Sequence, residues 1–528
     1  MNIKTSNHST NKLQLQLESP NPKITVQEKP INPTIIKIPT LTDPDLRKNT
    51  KSFTSPIECF SLFFPESLFD TIAKMTENYA HKSNDKEGIN FHVTSQEIKL
   101  FLCIYIYSSV VKTPDLFMLW KQSKYLSTII PKLITRYKFR LINKFLHISD
   151  YEENERVYEV DPLNRIKKFR FFLEHCNNVW KKYYNYSKFL TVDECISSFK
   201  GRICFRQYIK DKKKKCGVKF FSKSSSFSGY VYELIPYTGK NFEYDKDKGL
   251  GPSVLINFAK VHAFSDTHFT FDNYYASTEV LLFLEENKIK YTCTLNPLRK
   301  CFPNEIRDTK LVNQYDKRLF NIPNTNINFL LYKSTKLIHL SSNIYSASNA
   351  TYYNRNSQQR NKPEMVAMYN LTKAGVDLID ATTSIYSCQR KTYKWWKAVF
   401  YYLFDITIYN SLVVFNSGRK KPLRMVEYRQ IIYENIFDEY CQLEKPSIND
   451  IIIQVHFPIK NKTYNKCVIC EVNTTNITCS MCKIKICENC FQTYNHKGNM
   501  KNKMKKNNYV SNNDSISKEV LFNLIKTA

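Results

Sequence analysis

The sequence predicts an α/β core set between two helical regions and followed by a small cysteine-rich metal-binding module. Three observations support this fold class. Short strand-like runs alternate with helical spacing between residues 187 and 296, helical spacing dominates residues 56–186 and returns near 369, and six of the 16 cysteines fall between Cys467 and Cys490.

The amino-acid composition indicates which class of molecule the protein binds. The chain has 528 residues, with 78 Lys and Arg against 48 Asp and Glu, and a formal net charge of +30. This balance predicts binding to a polyanion such as a nucleic acid. The hydrophobic fraction of 42% and aromatic fraction of 14% exclude a chain that is disordered throughout and allow several packed domains.

Membrane and small-molecule functions are not predicted. No apolar leader follows Met1, and the apolar stretches near 100–111 and 399–415 are short or interrupted by Asp405 and Asn410. We therefore expect a soluble intracellular protein without a membrane partner. The chain has only 10 glycines and no glycine-rich phosphate loop, so we expect neither ATP-driven chemistry nor a small-molecule substrate.

The first two segments differ in composition. Residues 1–55 are rich in Asn, Ser, Thr, Pro and Lys and lack periodicity, which predicts a disordered basic arm. Residues 56–186 show helical spacing in FPESLFDTIAKMTENYA and SQEIKLFLCIYIY. Thr94 or Ser95 is the predicted N-cap before Glu97.

The α/β core follows at residues 187–296. Its strand-like runs are KFLTVDE, GVKFF, YVYELIPY, HFTFDN and YTCTL, and its clearest helical run is ASTEVLLFLEENK. Residues 297–362 are polar and Asn-rich, which predicts an insertion. Amphipathic helical spacing then resumes near 369 and continues, with breaks, to about 440.

Four acidic residues recur in a setting suited to metal chemistry. Asp193 closes the run FLTVDE and Asp272 closes HFTFDN, which predicts that both lie at strand ends; Asp377 and Asp380 are spaced to share one helical face. Carboxylates brought together in this way hold divalent cations for phosphoryl displacement, and Mg²⁺ suits oxygen ligands. Spacing alone equally allows acids that cap helices or face solvent.

Cations surround the first acid. Lys200, Arg202 and Arg206 follow it, and a run of lysines extends from Lys212 to Lys215. We expect these side chains to hold a phosphate backbone. A solvated loop is the alternative for the lysine run.

The cysteine-rich segment over 465–497 predicts structural zinc. Pairs of thiolates two residues apart bind one tetrahedral Zn²⁺, and the alternation of pairs predicts a cross-brace. The first proposed set is Cys467, Cys470, Cys487 and Cys490, and the second is Cys479, Cys482 and His496. An eighth ligand is not apparent. A RING-type ubiquitin ligase is disfavoured, because the pattern stops at His496 without a further cysteine pair.

Three blocks of the chain resemble the piggyBac-type transposase family. LTVDECISSFKGR is similar to the first catalytic block of that family, FTFDNYYAS to the second, and YNLTKAGVDLIDATTSIYSCQRKTYKWW to the third. The helical segments TSQEIKLFLCIYIY and LINKFLHISDYEE are also similar. The resemblance extends over residues 56–496.

This resemblance implies an RNase H-like core with Asp193, Asp272 and Asp377 as the Mg²⁺ or Mn²⁺ triad and Asp380 as a fourth acid. It further implies cleavage at element ends, hairpin formation by the freed 3′ hydroxyl, and joining to target DNA at TTAA sites. The implied core spans 187–296 and 363–386. Residues 56–186 and 387–455 would form a domain for homodimerisation and DNA binding.

The resemblance also assigns DNA contacts and a location. Arg390, Lys391 and Lys394 would face double-stranded DNA, and the cysteine-rich module would recognise the terminal repeats of the transposon. The basic tail over 498–528 would add phosphate contacts or serve in nuclear import, so the expected location is the nucleus.

Departures from the family pattern favour a second hypothesis. Where relatives carry an Arg within a G-T-[VI]-R-x-N-[RK] segment, this chain has Asn296 within CTLNPLR, and Tyr332 and Ser334 replace a frequent Trp and Asp. The alternative is a domesticated or decayed relative that binds DNA without cutting it. A third candidate, an RNA-binding protein, is supported by composition alone.

Overall fold

A ten-stranded mixed sheet organises the first of two units, Met1–Tyr440 and Cys441–Ala528. The computed structural model describes residues 24–44, 46–47, 53–122, 127–150, 165–210, 212, 214–354, 356–443, 458–479 and 484–493. The strands of the first unit are β1 (Gln27–Glu28), β2 (Ile36–Lys37), β3 (Phe189–Ser198), β4 (Gln207–Tyr208), β5 (Cys216–Ser225), β6 (Val231–Pro236), β7 (His268–Phe271), β8 (Lys290–Thr294), β9 (Lys317–Asn321), β10 (Asn328–Lys333), β11 (Leu337–Ser342), β12 (Asn349–Tyr353) and β13 (Gln359–Pro363).

The order of strands in the large sheet is β1-β9-β10-β11-β8-β7-β3-β5-β4, and β6 also pairs with β5. Strands β3, β5 and β6 form an antiparallel meander, whereas β7 runs parallel to β3 and β8 parallel to β7. Antiparallel neighbours need only short turns, and each parallel step uses a helical crossover. Strands β9–β11, from the segment predicted as an insertion, extend the sheet beyond β8.

Helices precede the core strands in the chain, connect some of them and follow them. They are α1 (Pro56–Phe63), α2 (Glu66–Lys82), α3 (Ser95–Val110), α4 (Ile130–Leu133), α5 (Arg136–Phe145), α6 (Arg170–Tyr183), α7 (Leu250–Ala259), α8 (Thr278–Glu286), α9 (Asn304–Asp308), α10 (Glu364–Thr372), α11 (Gly375–Ile385), α12 (Trp395–Asn416) and α13 (Met425–Leu443). Thr94 caps α3 as predicted: its hydroxyl accepts from the Glu97 N–H, and the Glu97 carboxylate accepts from the Thr94 N–H.

The central helix α12 explains the interrupted apolar stretch seen in the sequence. Among the described helices it alone is long and apolar enough to cross a membrane, but 89% of its apolar window is buried inside the protein, as in a core helix. The two polar residues that interrupt its apolar stretch are paired. Asp405 binds Arg429 at 2.9 Å, and the Asn410 amide bonds the backbone N–H and C=O of Val231 at 3.0 and 2.8 Å. Asn410 thereby joins the helical region to β6.

The prediction of a disordered arm over 1–55 is wrong for residues 24–44. Strand β1 pairs with β9, and β2 runs parallel to β12. The carboxylate of Asp43 accepts hydrogen bonds from Ser187 and Ser225 at the core. An extended segment gains these sheet-edge bonds without hydrophobic periodicity of its own, which is why its composition resembled disorder. Residues 1–23 lie outside the described part.

Candidate active site

Asp193 lies within β3, so the prediction that it ends a strand is wrong. The strand continues because β5 pairs with it from Leu190 as far as Ser198. On its other side, β7 pairs only with Phe189 to Val192. From Asp193 onward, that edge of β3 is open, since no strand in the described part of the chain pairs with it, and polar side chains gather there.

Three carboxylates converge at this open edge. Oxygen atoms of Asp193, Glu194 and Asp272 all lie within 4.8 Å of one another. Asp272 follows β7 as predicted, and its Oδ1 accepts from the Tyr274 N–H at 2.9 Å, which fixes the turn. Neighbours on a strand normally point to opposite faces. Glu194 nevertheless brings a carboxylate oxygen to the same point as its neighbour Asp193.

Asp377 and Asp380 come from α11, which crosses close to the sheet. A Cβ at Gly375 would lie 2.5 Å from the Ser225 carbonyl oxygen and 3.0 Å from Thr191 Oγ1, so only glycine allows this approach. Asp377 is exposed in the first turn of α11 and lies outside the group of three converging carboxylates. Asp380 is half-buried and lies nearer β3.

Lys212 links these acids. Its Nζ lies 2.7 Å from Asp193 Oδ2 and 3.7 Å from Asp380 Oδ2. Burial alone would lower the pKa of Lys212, but the charges of Asp193 and Asp380 outweigh burial and hold it above its ordinary value. Lys212, at the start of the run predicted to contact phosphate, thus pairs with carboxylates in this structure, and Lys213 lies outside the described residues.

Glu194 belongs to the site although it was not among the predicted acids. The adjacent pair Asp193-Glu194 was the feature of the sequence that could have indicated it. Burial, with smaller contributions from the charges of Asp193 and Asp272, raises the pKa of Glu194 to about 7, although the charge of Lys219 opposes the shift. Lys219 Nζ binds Glu194 Oε1 at 3.1 Å and lies 4.6 Å from the centre of the Tyr274 ring.

The site is therefore a crowded set of partly buried carboxylates. Burial, with a smaller contribution from the charge of Asp193, raises the pKa of Asp272. Burial also raises the pKa of Asp380 to about 6, although the charge of Lys212 opposes the shift. Mutual repulsion and desolvation disfavour their charged forms, and a cation among them relieves both. An all-oxygen donor set fits a hard divalent ion such as Mg²⁺.

Arg299 holds the loop that carries Asp272. Its Nη2 donates to the Tyr274 carbonyl at 3.1 Å, and its Nη1 donates to the Ala276 carbonyl. This Arg lies three residues after Asn296, the position at which the family pattern has an additional Arg. The guanidinium therefore connects the segment after β8 to the segment after β7.

The predicted DNA-contacting cations next to β3 lie on an exposed loop between β3 and β4. Lys200, Arg202 and Arg206 are all exposed. Arg206 Nη1 also donates to the carbonyls of Lys200 and Gly201, at 2.7 and 3.1 Å, and so braces the loop. The loop begins where β3 ends at Ser198, and it presents its positive charge to solvent.

Arg390, Lys391 and Lys394 line a cleft of about 630 Å³ in the helical region. Arg390 donates to the Ser108 carbonyl, and Lys394 donates to the Lys144 carbonyl at 3.0 Å. Lys391 is exposed, as is Tyr393, whose side chain is 94% accessible. The cleft combines cations with an accessible aromatic ring, an arrangement suited to nucleic acid.

The second unit contains the four cysteines of the first predicted zinc set. Sulfur atoms of Cys467, Cys470, Cys487 and Cys490 lie within 4.8 Å of one another. Cys467 and Cys470 lie in the turn between β14 (Pro458–Lys466) and β15 (Thr474–Cys479). Cys487 immediately precedes α14 (Glu488–Thr493), and Cys490 lies within it. Cys479 is buried in β15, outside this group, and Cys482 and His496 lie outside the described residues, as does the tail over 498–528.

Backbone N–H groups donate to two of these sulfur atoms and favour the thiolate form, which binds metal. Backbone N–H groups of Asn473 and Val472 lower the pKa of Cys470 to about 6, and the Cys487 N–H donates to Cys467 Sγ at 3.2 Å. A preformed tetrad of thiol groups in a turn stabilised by such bonds fits a tetrahedral Zn²⁺.

Comparison with known proteins places this geometry in a family. A family model described as Transposase IS4 matches residues 55–412. Human piggyBac transposable element-derived protein 3 is 23% identical over 468 residues, which cover 83% of this chain and 76% of that protein. The chain belongs to the piggyBac-type transposase family. Human piggyBac transposable element-derived protein 2 is 24% identical over 388 residues, covering 70% of this chain and 63% of the relative.

A solved member of the piggyBac family shares the fold. The cryo-EM structure of a piggyBac transposase synaptic complex with hairpin DNA aligns with a TM-score of 0.65 and 23% identity, over 84% of this chain and 97% of that chain. The resemblance in three short blocks is thus matched by similarity in fold across most of the molecule.

Proposed function

We propose that this piggyBac-type chain is a metal-dependent DNA transposase whose catalytic residues are Asp193, Asp272, Asp377 and Asp380. The observation that carries the proposal is the convergence of Asp193 and Asp272 at the open edge of β3, beside the acids of α11. Membership of a transposase family and the basic loops around the acids support it.

The proposed catalytic domain is an RNase H-like core. An antiparallel meander of three strands (β6-β5-β3) followed by two parallel strands (β7 and β8) supports this assignment. The core would comprise residues 187–296 and 363–386. The helical residues 56–186 and 387–455 would form a domain that binds DNA and a second copy of the chain.

Asp193, Asp272 and Asp377 are the residues that would hold Mg²⁺ or Mn²⁺. Such an ion, when bound, offsets the negative charge that develops on a phosphodiester under attack. Lys212 Nζ binds Asp193 Oδ2 in this structure; an ion held by Asp193 would repel this cation, and Lys212 would then be free to contact a DNA phosphate. Asp377, which is exposed on α11 and outside the converging carboxylates in this structure, would have to turn towards them to bind the same ion.

Other residues would accept a proton or bind the DNA backbone. Glu194 lies within 4.8 Å of the Asp193 and Asp272 carboxylates and is the residue that would accept a proton from an attacking hydroxyl group at this site. Lys200 and Arg202, on the loop after β3, and the cations of the cleft, Arg390, Lys391 and Lys394, would bind the DNA backbone away from the cut.

The proposed reaction follows the cut-and-paste scheme. One strand is cut at the transposon end, the freed 3′ hydroxyl attacks the opposite strand to form a hairpin, and the excised end joins a TTAA site. The protein would act in the nucleus as a homodimer on double-stranded DNA. A membrane or a small-molecule substrate has no part in this proposal.

The cysteine tetrad would hold structural Zn²⁺ and present a surface to the terminal repeats. Cys467, Cys470, Cys487 and Cys490 are the proposed ligands, and Cys479, Cys482 and His496 remain the proposed second set. A module of this size cannot bury enough apolar surface to fold alone, so metal binding and folding are coupled.

Removal of zinc is expected to unfold residues 458–493 and leave the α/β core folded. The measurement is hydrogen exchange along the full chain before and after a zinc chelator, with restoration by added Zn²⁺. Cys470→Ser should mimic chelation, whereas Cys204→Ser, which changes an exposed cysteine outside the tetrad, should not. Equal loss of protection across the whole chain would contradict this expectation.

Arg299→Met is expected to slow DNA cleavage about tenfold or more, because the loop carrying Asp272 loses two hydrogen bonds that position it. DNA affinity should remain near that of the parent. Cleavage rate and affinity are measured on the same labelled duplex at one salt concentration. Arg307→Met is the matched control, since Arg307 contacts only its helix neighbours Asn304 and Asp308 in the described residues. An equal effect of both substitutions would contradict a positioning role.

The test of the proposed function is end cleavage by the full-length protein. Labelled duplexes carrying the flanking inverted repeats bordered by TTAA are incubated with Mg²⁺ or Mn²⁺, and nicked and hairpin products are separated. We expect both products with metal and neither with chelator. Binding without cleavage under all these conditions would favour the second candidate, a DNA-binding descendant. Asn296 in place of the family Arg and the Lys212–Asp193 contact are the observations that favour that candidate.

A further inference from the structure

A second group of potential metal ligands lies in the helical region, apart from the acids and the cysteines. Glu77 and His81 lie one turn apart on α2, and His92 lies in the extended segment before α3. One ligand atom from each of the three lies within 4.8 Å of the other two. The helical spacing of four residues places Glu77 and His81 on one face.

The hydrogen bonding of His81 supports a role as a ligand. Its Nε2 lies 2.8 Å from the Phe91 carbonyl oxygen. A carbonyl only accepts, so Nε2 carries the proton and the lone pair is on Nδ1. Histidines that bind metals commonly donate their other ring N–H to a backbone carbonyl in this way, which fixes the ring and its tautomer.

The other two ligands are already in contact. His92 Nδ1 touches Glu77 Oε1, and the His92 ring meets the His81 ring edge-on with centroids 5.6 Å apart. A neighbouring cation, Lys138, donates to the His92 carbonyl at 2.7 Å and pairs with Glu97 at 3.0 Å, so its charge is offset. The His92 side chain is 78% exposed, which leaves access from solvent.

We propose that Glu77, His81 and His92 bind one divalent transition-metal ion of the zinc class. Two imidazole nitrogens and one carboxylate oxygen favour Zn²⁺, Co²⁺ or Ni²⁺ over Mg²⁺, and three protein ligands leave one position for water. The ion joins the C-terminal end of α2 to the segment that leads into α3. It is independent of the cysteine tetrad and of the proposed transposase reaction.

The test counts zinc in the full-length protein. The parent and the variants Glu77→Gln, His81→Asn and His92→Asn are dialysed against buffered free Zn²⁺ at neutral pH, and bound zinc is measured by mass spectrometry. Glu66→Gln is the matched control, because Glu66 is an exposed carboxylate on the same helix that pairs with Lys99 instead. Zinc in the cysteine tetrad is common to all five proteins.

We expect one zinc more in the parent and in Glu66→Gln than in the three ligand variants. At this site the dissociation constant should rise at least about tenfold on loss of any one ligand. Zinc should also protect residues 83–94 from hydrogen exchange in the parent but not in His92→Asn. The same zinc content in all five proteins over the titration would overturn the proposal, as would an equal loss in Glu66→Gln.

Discussion

Asp272→Asn is expected to reduce cleavage of a transposon end by at least about a thousandfold while DNA affinity stays within about twofold of the parent. The substitution removes one charge from the carboxylates that would hold the catalytic cations. The Asn side chain keeps an oxygen that accepts from the Tyr274 N–H, so the turn after β7 is retained. The cationic loops and cleft that bind phosphate are unchanged.

Cleavage and binding of the same labelled duplex are measured together, by product separation in Mg²⁺ and by gel shift at a fixed salt concentration. Asp245→Asn is the matched control, because Asp245 also accepts from a backbone N–H two residues on, at 3.1 Å, but lies outside the site. Cleavage by Asp272→Asn within tenfold of the parent would contradict the assignment of Asp272.

The second large effect is expected at a buried ion pair between α12 and α13. Arg429 Nη2 lies 2.9 Å from Asp405 Oδ1, and both side chains are almost fully buried. Arg429 also donates to Ser109 Oγ at 2.8 Å, and the Cys388 N–H donates to Asp405 Oδ2 at 2.9 Å. Burial raises the pKa of Asp405, although Arg429 opposes the shift.

Arg429→Met is expected to lower the free energy of unfolding of the helical region by about 3–5 kcal/mol, because Asp405 is left buried without its cation. Urea denaturation followed by hydrogen exchange of α12 and α13 measures the change. The double variant Asp405→Leu with Arg429→Met should recover most of the loss, since an apolar pair avoids the desolvation cost. Arg424→Met, which breaks the exposed pair of Arg424 with Glu427, should change nothing measurable.

This ion pair also bears on function. Cys388, which Asp405 holds through the backbone, lies two residues before Arg390 in the loop that lines the basic cleft. Weaker DNA binding by Arg429→Met than by the double variant would be consistent with displacement of that loop. The buried pair therefore connects the stability of the helical region to its proposed DNA-binding surface.

Local signals in the sequence predicted local features well. The capping box at Thr94 involves residues three apart, and the convergence of four cysteines follows from two closely spaced pairs. Asp272 follows β7 because a short apolar run and a turn-forming Asp-Asn step are adjacent in the chain. Each of these features depends on a few neighbouring residues.

Features that depend on distant pairing could not be predicted in the same way. The length of β3 beyond Asp193 is set by β5, and the open edge is set by the end of β7. The contact of Lys212 with Asp193 and Asp380 depends on where a loop folds back. Residues 24–44 adopt strands only because distant sheet edges accept them. Hydrophobic periodicity carries no information about any of these contacts.

The most direct measurement is the position of Mn²⁺ in crystals of the full-length protein, located by anomalous X-ray scattering. We expect a peak between the carboxylates of Asp193 and Asp272, with Asp377 turned towards it and Lys212 Nζ withdrawn from Asp193. The peak should be lost in Asp272→Asn and retained in Asp245→Asn. A shared metal site at these acids would be contradicted by the absence of a peak there while Lys212 stays on Asp193, or by an unchanged peak in Asp272→Asn.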